Sequence, residues 1–249
     1  MQELPDYEEY HMTICEELKC LGMAVMLSAL AAWILYKHPV GLVLCVAIFP
    51  TYRRNYIGNR IAERKRELLL QFKDGIQSIA VALLSGYSIE NAWIEAEKEL
   101  CELYGEKAYM TKELHYMNKG IRMNQPVEEL LSRFAERSGC EDIVGFAEIF
   151  RFAKRSGGNF GKILRNTAHR IAEKQEVERE IETVLSGKKM EQKIMNVVPV
   201  GLLVYLNLTS QEFLEPLYGN LFGVCVMTGA FAAYVGAVLL ASKIVKIKI

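Results

Sequence analysis

Two apolar blocks, Cys20–Tyr52 and Ile194–Ser242, bracket a charged stretch patterned for helices, and both edges of that stretch are basic. Crossing about 30 Å of hydrocarbon takes roughly 20 consecutive apolar residues. The blocks therefore restrict the chain to an anchored architecture with a polar domain between two anchors. Arg53, Arg54, Arg60, Arg64, Lys65 and Arg66 mark one edge of the polar stretch, and Lys188, Lys189 and Lys193 the other. Lys and Arg accumulate on the cytoplasmic side of membrane spans, which assigns the middle block to the cytoplasm.

Formal net charge is zero, but the charges are unevenly spread. The segment 1–19 sets Glu3, Asp6, Glu8, Glu9, Glu16 and Glu17 against Lys19, whereas 53–193 is nearly balanced. That balance lacks the basic excess of a nucleic-acid binder. The six cysteines are scattered at positions 15, 20, 45, 101, 140 and 225 without a CxxC pair. Neither a disulfide framework nor a zinc site is expected, and reduced thiols suit a cytoplasmic domain. The N-terminus has neither the basic start nor the small-residue cleavage site of a secretory signal.

Within the first block, Lys37-His38-Pro39 interrupts two apolar runs, Cys20–Tyr36 and Val40–Tyr52. One straight helix over both would be about 50 Å long, too long for a single crossing. A transmembrane hairpin over 20–52, turning at Lys37–Pro39, is expected; one kinked span with an interfacial extension is the alternative. In the second block, 194–242, the runs Ile194–Thr209 and Leu221–Ser242 flank a loop, 210–220, that carries two acids, Glu212 and Glu215, and no bases. That composition suits an outside loop. The tail 243–249 returns Lys243, Lys246 and Lys248 to the cytoplasm. The expectation is four spans in the cytoplasmic membrane of a prokaryote, with both termini inside. Asn207-Leu208-Thr209 forms a glycosylation sequon at a span end and is read as chance. The runs carry no Asp, Glu, Lys or Arg from Leu21 to Tyr36, Val40 to Tyr52 or Ile194 to Thr209, which argues against a pump or secondary transporter.

Between 60 and 193 apolar residues recur at helical spacing, without sustained alternation. Leu69, Phe72, Ile76, Ile79, Ala80, Leu83 and Leu84 form a stripe that stops at Ser85-Gly86. Ser88 is placed to cap a second helix from Ile89 to about Tyr104. A third covers roughly Met110–Ile121. A fourth starts at Gln125-Pro126, with Pro at its first helical position. It carries Leu130, Leu131, Phe134 and Ala135 to Ser138-Gly139. A fifth carries Ile143, Phe146, Ala147, Ile149, Phe150 and Ala153 to Ser156-Gly157. The sixth runs from Phe160 past Leu185, on Ile163, Leu164, Ala168, Ile171, Ala172, Val177, Ile181, Val184 and Leu185. Short Gly-marked connections imply an antiparallel six-helix bundle over 53–193 whose last helix feeds the membrane. Only Ser186-Gly187 and Pro199 interrupt that continuity. The stripes are read as core, and the charged run Arg170–Glu182 as a solvated face or a partner-docking surface.

Chemistry is sparse. Ser156-Gly157-Gly158-Asn159-Phe160-Gly161-Lys162-Ile163 approaches a phosphate-binding loop, but Ser156 stands where Gly is required and Ile163 where a hydroxyl would hold magnesium. No strand precedes it. A tight helix–helix turn with Asn159 as N-cap fits better. The four histidines are dispersed, and no nucleophile pattern such as G-x-S-x-G occurs. The acid pairs Glu128-Glu129 and Glu141-Asp142 fall at helix starts, where they meet the positive end of the dipole. No catalytic, cofactor-binding or metal-binding residue is expected.

The order of parts resembles the type II secretion system F family. Leu84-Ser85-Gly86-Tyr87-Ser88-Ile89-Glu90-Asn91-Ala92 is similar to its L-x-x-G-x-S-hydrophobic-x-x-A turn. Arg155-Ser156-Gly157-Gly158-Asn159-Phe160, with Leu164 and Ala168-His169-Arg170-Ile171, resembles its second Gly-rich turn and long charged helix. Glu182–Lys188 and Pro199 resemble its return to the membrane. The likeness covers about 60–245 and one copy of the helical domain, as in the single-domain TadB/TadC-type proteins of Flp (Tad) pilus systems. It implies a non-enzymatic membrane platform coupling a cytoplasmic secretion ATPase to assembly of prepilin-like subunits. The implied partners are that ATPase, a sister platform protein or a second copy, the prepilins and membrane lipid. Gly86, Gly157, Gly158 and Asn159 match as structural turns. Arg165, Arg170 and Arg179 are candidates for docking a partner. The competing readings are a membrane-anchored receptor or regulatory scaffold, and a transporter subunit or membrane enzyme.

Overall fold

The computed structural model describes residues 6–10, 12–35, 45–156, 160–209 and 221–245. Among these, the regular structure is entirely α-helical, in eight helices: α1 (Ile14–Leu35), α2 (Cys45–Leu84), α3 (Ile89–Tyr104), α4 (Tyr109–Arg122), α5 (Val127–Ser138), α6 (Glu141–Ser156), α7 (Phe160–Thr209) and α8 (Leu221–Val245). The expected turn at Lys37–Pro39, the loop 210–220, the Gly157-Gly158-Asn159 turn and the tail lysines Lys246 and Lys248 lie outside the described residues. Two compact units emerge. One combines the N-terminal strap Asp6–Tyr10 with Ile57–Glu176, and the other combines Met12–Tyr56 with the chain from Val177 onward.

The first unit is a helical bundle built on one hydrophobic core. Leu68, Phe72, Ile76 and Ile79 of α2, Trp93 and Leu100 of α3, Met110 and Leu114 of α4, Leu131 and Phe134 of α5, Ile143, Phe146 and Phe150 of α6, and Leu164 of α7 are all buried in it. A run of aromatic contacts crosses this core: Phe72 meets Phe134 at 6.0 Å and Phe146 edge-on at 5.3 Å, and Phe150 meets Trp93 at 6.0 Å. Such pairs add about 0.5–1.5 kcal/mol each beyond the area they bury.

Helix ends follow from local chemistry. Ser88 Oγ accepts the Asn91 N–H at 3.3 Å, capping α3 as its position requires. At the end of α2 the Tyr87 N–H donates to the Ala82 carbonyl and the Gly86 N–H to the Leu83 carbonyl, with Gly86 at φ +90°. This is a Schellman closure, and it needs a residue comfortable at positive φ. α4 starts after Ala108, which offers no capping side chain; Gln71 Oε1 of α2 instead accepts the Met110 N–H at 3.0 Å.

Four details differ from the expectation drawn from periodicity. Pro126 is the N-cap of α5, one position before the first helical residue. Leu84 and Ile149, placed on core stripes, are substantially exposed, whereas Leu68, one residue before its expected stripe, is fully buried. On α7 the core stripe ends at Ile171, and Val177 and Val184 are exposed. Finally, the first bundle stripe is the second half of a 40-residue helix that begins in the apolar block and continues through Pro50. α7 likewise runs for 50 residues, unbroken at Ser186-Gly187 and through Pro199.

The second unit is packed on the opposite rule. α1 buries Cys20, Ala24, Ser28 and Ala32, every fourth residue, while Leu18, Met26, Leu30 and Trp33 stand exposed. In α7 the buried residue is Asn207, and Val197, Val198, Leu202, Tyr205 and Leu208 are exposed. Tyr234 of α8 donates its hydroxyl to the Asn196 carbonyl of α7 at 2.5 Å. Small and polar residues inside, large apolar residues outside, is how helices pack where the surroundings are themselves apolar. Arg53 of α2 pairs with Glu17 of α1 at 3.3 Å, and the Tyr56 hydroxyl donates to Glu16 at 3.4 Å. The chain thus returns on α2 to the end of α1 from which it left. Phe222–Ser242 in α8 is long and apolar enough to cross a membrane.

If the aromatic core carries the bundle, Phe72→Ala should lower its stability by about 3–5 kcal/mol. Phe152→Ala, at a side chain 72% exposed, should change it by less than about 0.5 kcal/mol. Denaturant titration of the full chain, followed by Trp93 fluorescence, would separate the two.

Candidate functional site

Arg165, Arg170 and Arg179 are all exposed on α7. They do not form one face. Steps of five and nine residues turn a helix by about 140° and 180°, so Arg170 leaves the helix on a different side from Arg165 and Arg179, whose directions differ by only about 40°. Arg165 and Arg170 belong to the bundle unit and Arg179 to the other. Around them the charged run behaves as a solvated face: His169 lies 3.6 Å from Glu173 one turn on. Lys174 is the exception, reaching across to Asp142 of α6 at 2.8 Å. Gly86 occupies the turn assigned to it, and a Cβ there would meet nothing within 4 Å, so its φ alone calls for glycine.

The most built polar arrangement lies elsewhere, on the strap and the cleft that receives it. Glu113 projects from the apolar face of α4 between Met110, Leu114 and Met117 and is fully buried. Both its oxygens are engaged: the Tyr7 hydroxyl donates to Oε1 at 3.1 Å, and Arg137 Nη2 of α5 donates to Oε2 at 2.5 Å. Tyr7 itself is 1% exposed. Its ring stands edge-on to Tyr109 at 5.9 Å, and its N–H donates to the Arg137 carbonyl at 3.1 Å. The Arg137 guanidinium also lies over the Tyr116 ring at 5.8 Å.

Basic side chains of α2 hold the flanks of the strap. Lys65 donates to Glu8 at 3.1 Å and to the Gly139 carbonyl at 2.9 Å. Arg64 donates to the carbonyls of Asp6 and Glu9 at 3.4 and 3.3 Å, and its guanidinium covers the Tyr10 ring at 5.2 Å. Gly139, at φ +55°, ends α5 directly beneath this contact, where a Cβ would collide with Glu8 and Lys65. A groove lined by Tyr10, Arg60, Glu63, Arg64, Glu67 and Tyr109 continues along α2.

Burial sets the electrostatics. It pushes the Glu113 carboxyl up from its ordinary range, against the opposing pull of Arg137 and the Tyr7 hydroxyl. Burial, reinforced by the adjacent carboxylate, raises the Tyr7 phenol as well, so it remains a hydrogen-bond donor. A second polar cluster joins α3 and α4: Asn118 donates to the Trp93 carbonyl at 3.0 Å and to Glu97 at 2.6 Å, and Glu97 also meets His115 at 2.7 Å. Between α5 and α6, Lys154 meets Glu128 at 2.6 Å. Burial is the largest single influence on the Glu128 carboxyl and raises it, but the Lys154 bond, the backbone hydrogen bond and the charges of Lys154 and Arg155 together leave it below its ordinary value.

Sequence reasoning placed none of Tyr7, Glu113 and Arg137 in a site. The legible signal was Glu113 itself, a carboxylate at core spacing on α4. Its partners are 106 and 24 residues away, beyond the reach of local pattern.

Tyr7→Phe should remove the hydroxyl from a buried carboxylate and cost about 1–3 kcal/mol. Tyr7→Ala, which also empties an aromatic site, should cost about 3–5 kcal/mol. Urea denaturation of the full-length protein would measure both. The chain matches no protein-family model, no curated protein and no solved structure.

Proposed function

We propose that the chain is a non-enzymatic platform protein of the cytoplasmic membrane, related to the type II secretion F family and the single-domain TadB/TadC type. In this role it couples a cytoplasmic secretion ATPase to the assembly of pilin-like subunits. The observation that carries the reading is the contrast between the two units. One buries large apolar side chains under a charged surface, as proteins do in water, and the other turns its large apolar side chains outward. Exposed apolar surface on that scale calls for lipid or a protein partner. α2 and α7 each contribute residues to both units as continuous helices.

The turn Leu83–Ser88, with its positive-φ Gly86 and its Ser88 cap, has the geometry that the F-family motif would need at that place. α1 and the start of α2 lie together at Glu17 and Arg53, which favours the hairpin over the kinked single span. In the proposed topology α1, the start of α2, the apolar part of α7 and α8 make four crossings, with the bundle and both termini in the cytoplasm. The bundle carries the ATPase contact, and Arg165 and Arg170 on its α7 surface are the residues to test first.

The full-length chain should co-purify from its native cells with a secretion ATPase, and show no ATP hydrolysis by itself. Recovery without any ATPase, in cells that express one, would remove the platform reading. Because Arg165 and Arg170 leave α7 in different directions, Arg165→Glu and Arg170→Glu should weaken the association unequally while leaving the fold intact. Cysteine introduced at Lys37 or Glu212 should be labelled from outside the cell. Protection of position 37 from both sides would instead support one kinked span.

A further inference from the structure

We propose that Asp6–Tyr10 is a releasable clasp. The segment occupies the cleft between α4 and α5 as an intramolecular ligand, with Tyr7 as its anchor, and opens while the bundle stays folded.

Three features distinguish it from an ordinary part of the core. First, the strap carries no helix of its own. Its backbone is tied to the bundle by the Tyr7 N–H on the Arg137 carbonyl and by Arg64 on the carbonyls of Asp6 and Glu9. Second, its deep contact is concentrated in one side chain. Tyr7 is buried, whereas Glu8 and its partner Lys65 form an ion pair at 3.1 Å open to solvent on the Glu8 side. Exposed pairs of this kind hold weakly and are screened by salt. Third, the cleft is ready-made without the strap. Glu113 and Arg137 bond to each other, and Tyr109 and Tyr116 are positions on α4. Opening would return one oxygen of Glu113 to water and leave the ion pair in place. The cleft thus receives a phenol followed by one carboxylate, which the strap supplies in Tyr7 and Glu8.

Position in the chain gives the clasp its use. Only three residues, His11, Met12 and Thr13, separate Tyr10 from the first residue of α1. Closed, the clasp fastens the bundle to the chain leading into the first apolar helix; open, the connection to that helix is slack. The clasp goes beyond the platform reading, and its test needs no ATPase, so either idea can fail without the other.

Hydrogen exchange of the full-length protein in lipid nanodiscs, read by mass spectrometry, provides that test. The segment containing Tyr7 should exchange at least about 100-fold faster than the α5 segment around Leu131, yet more slowly than an unstructured peptide of the same sequence. Tyr7→Phe should speed exchange of the strap about tenfold, the effect of losing one buried hydrogen bond, and leave the strap still far faster than α5. Lys65→Ala, at the solvent-facing flank, should act in the same direction more weakly and keeps the test usable if Tyr7→Phe misfolds. Equal rates for strap and α5, in the unaltered protein or in the variants, would make the strap a fixed part of the fold and overturn the proposal. Free-peptide rates at Tyr7 would overturn it too.

Discussion

The structure depends on a change of packing rule between its two units, which falls partway along α7. In the bundle, water drives large apolar side chains inward, and the core is filled by Phe72, Trp93, Phe134, Phe146 and Phe150. In the other unit, burial falls to Cys20, Ala24, Ser28 and Ala32, residues small enough to let helix backbones approach. α7 obeys both rules in turn. The stripe of α7 is buried up to Ile171, and Val184 is 76% exposed. A helix with one continuous face could not satisfy both surroundings, so the pattern must change along its length.

Helices, their ends and most of their core faces were legible in the sequence because each depends on near neighbours. Ser88 caps the helix it directly precedes, Gly86 closes the helix it directly follows, and Phe72, Ile76 and Ile79 recur within two turns. What was not legible depends on distance. Neither the pairing of Tyr7 with Glu113 nor the capping of α4 by Gln71 leaves a local trace, because each joins elements that are far apart in sequence. The stripe on α7 misled past Ile171 for a related reason. Periodicity reports that a face is apolar, and exposed Val177 is as apolar as a buried residue. The three arginines proposed for docking show the same limit, since sequence proximity did not place them on one face.

Charged residues divide into two kinds that composition does not separate. Glu113 is enclosed and has both oxygens bonded, so losing Arg137 would leave a buried charge uncompensated. Arg53 with Glu17, between α2 and α1, and Lys188 with Glu191, within α7, are exposed pairs that contribute little energy. The basic edge after the first apolar block is therefore only partly available to lipid or to a partner. Arg53 faces an acid of α1, and Arg64 and Lys65 hold the strap.

The distance in sequence between Tyr7 and its receptor has a consequence for biosynthesis. Residues 6–10 leave the ribosome well before the cleft that receives them, which exists only once α4 and α5 have been made, through Arg137. By then the apolar helix α1 has long since emerged and has had to find its own surroundings. The strap is thus made long before its receptor and can dock only after α5 has emerged.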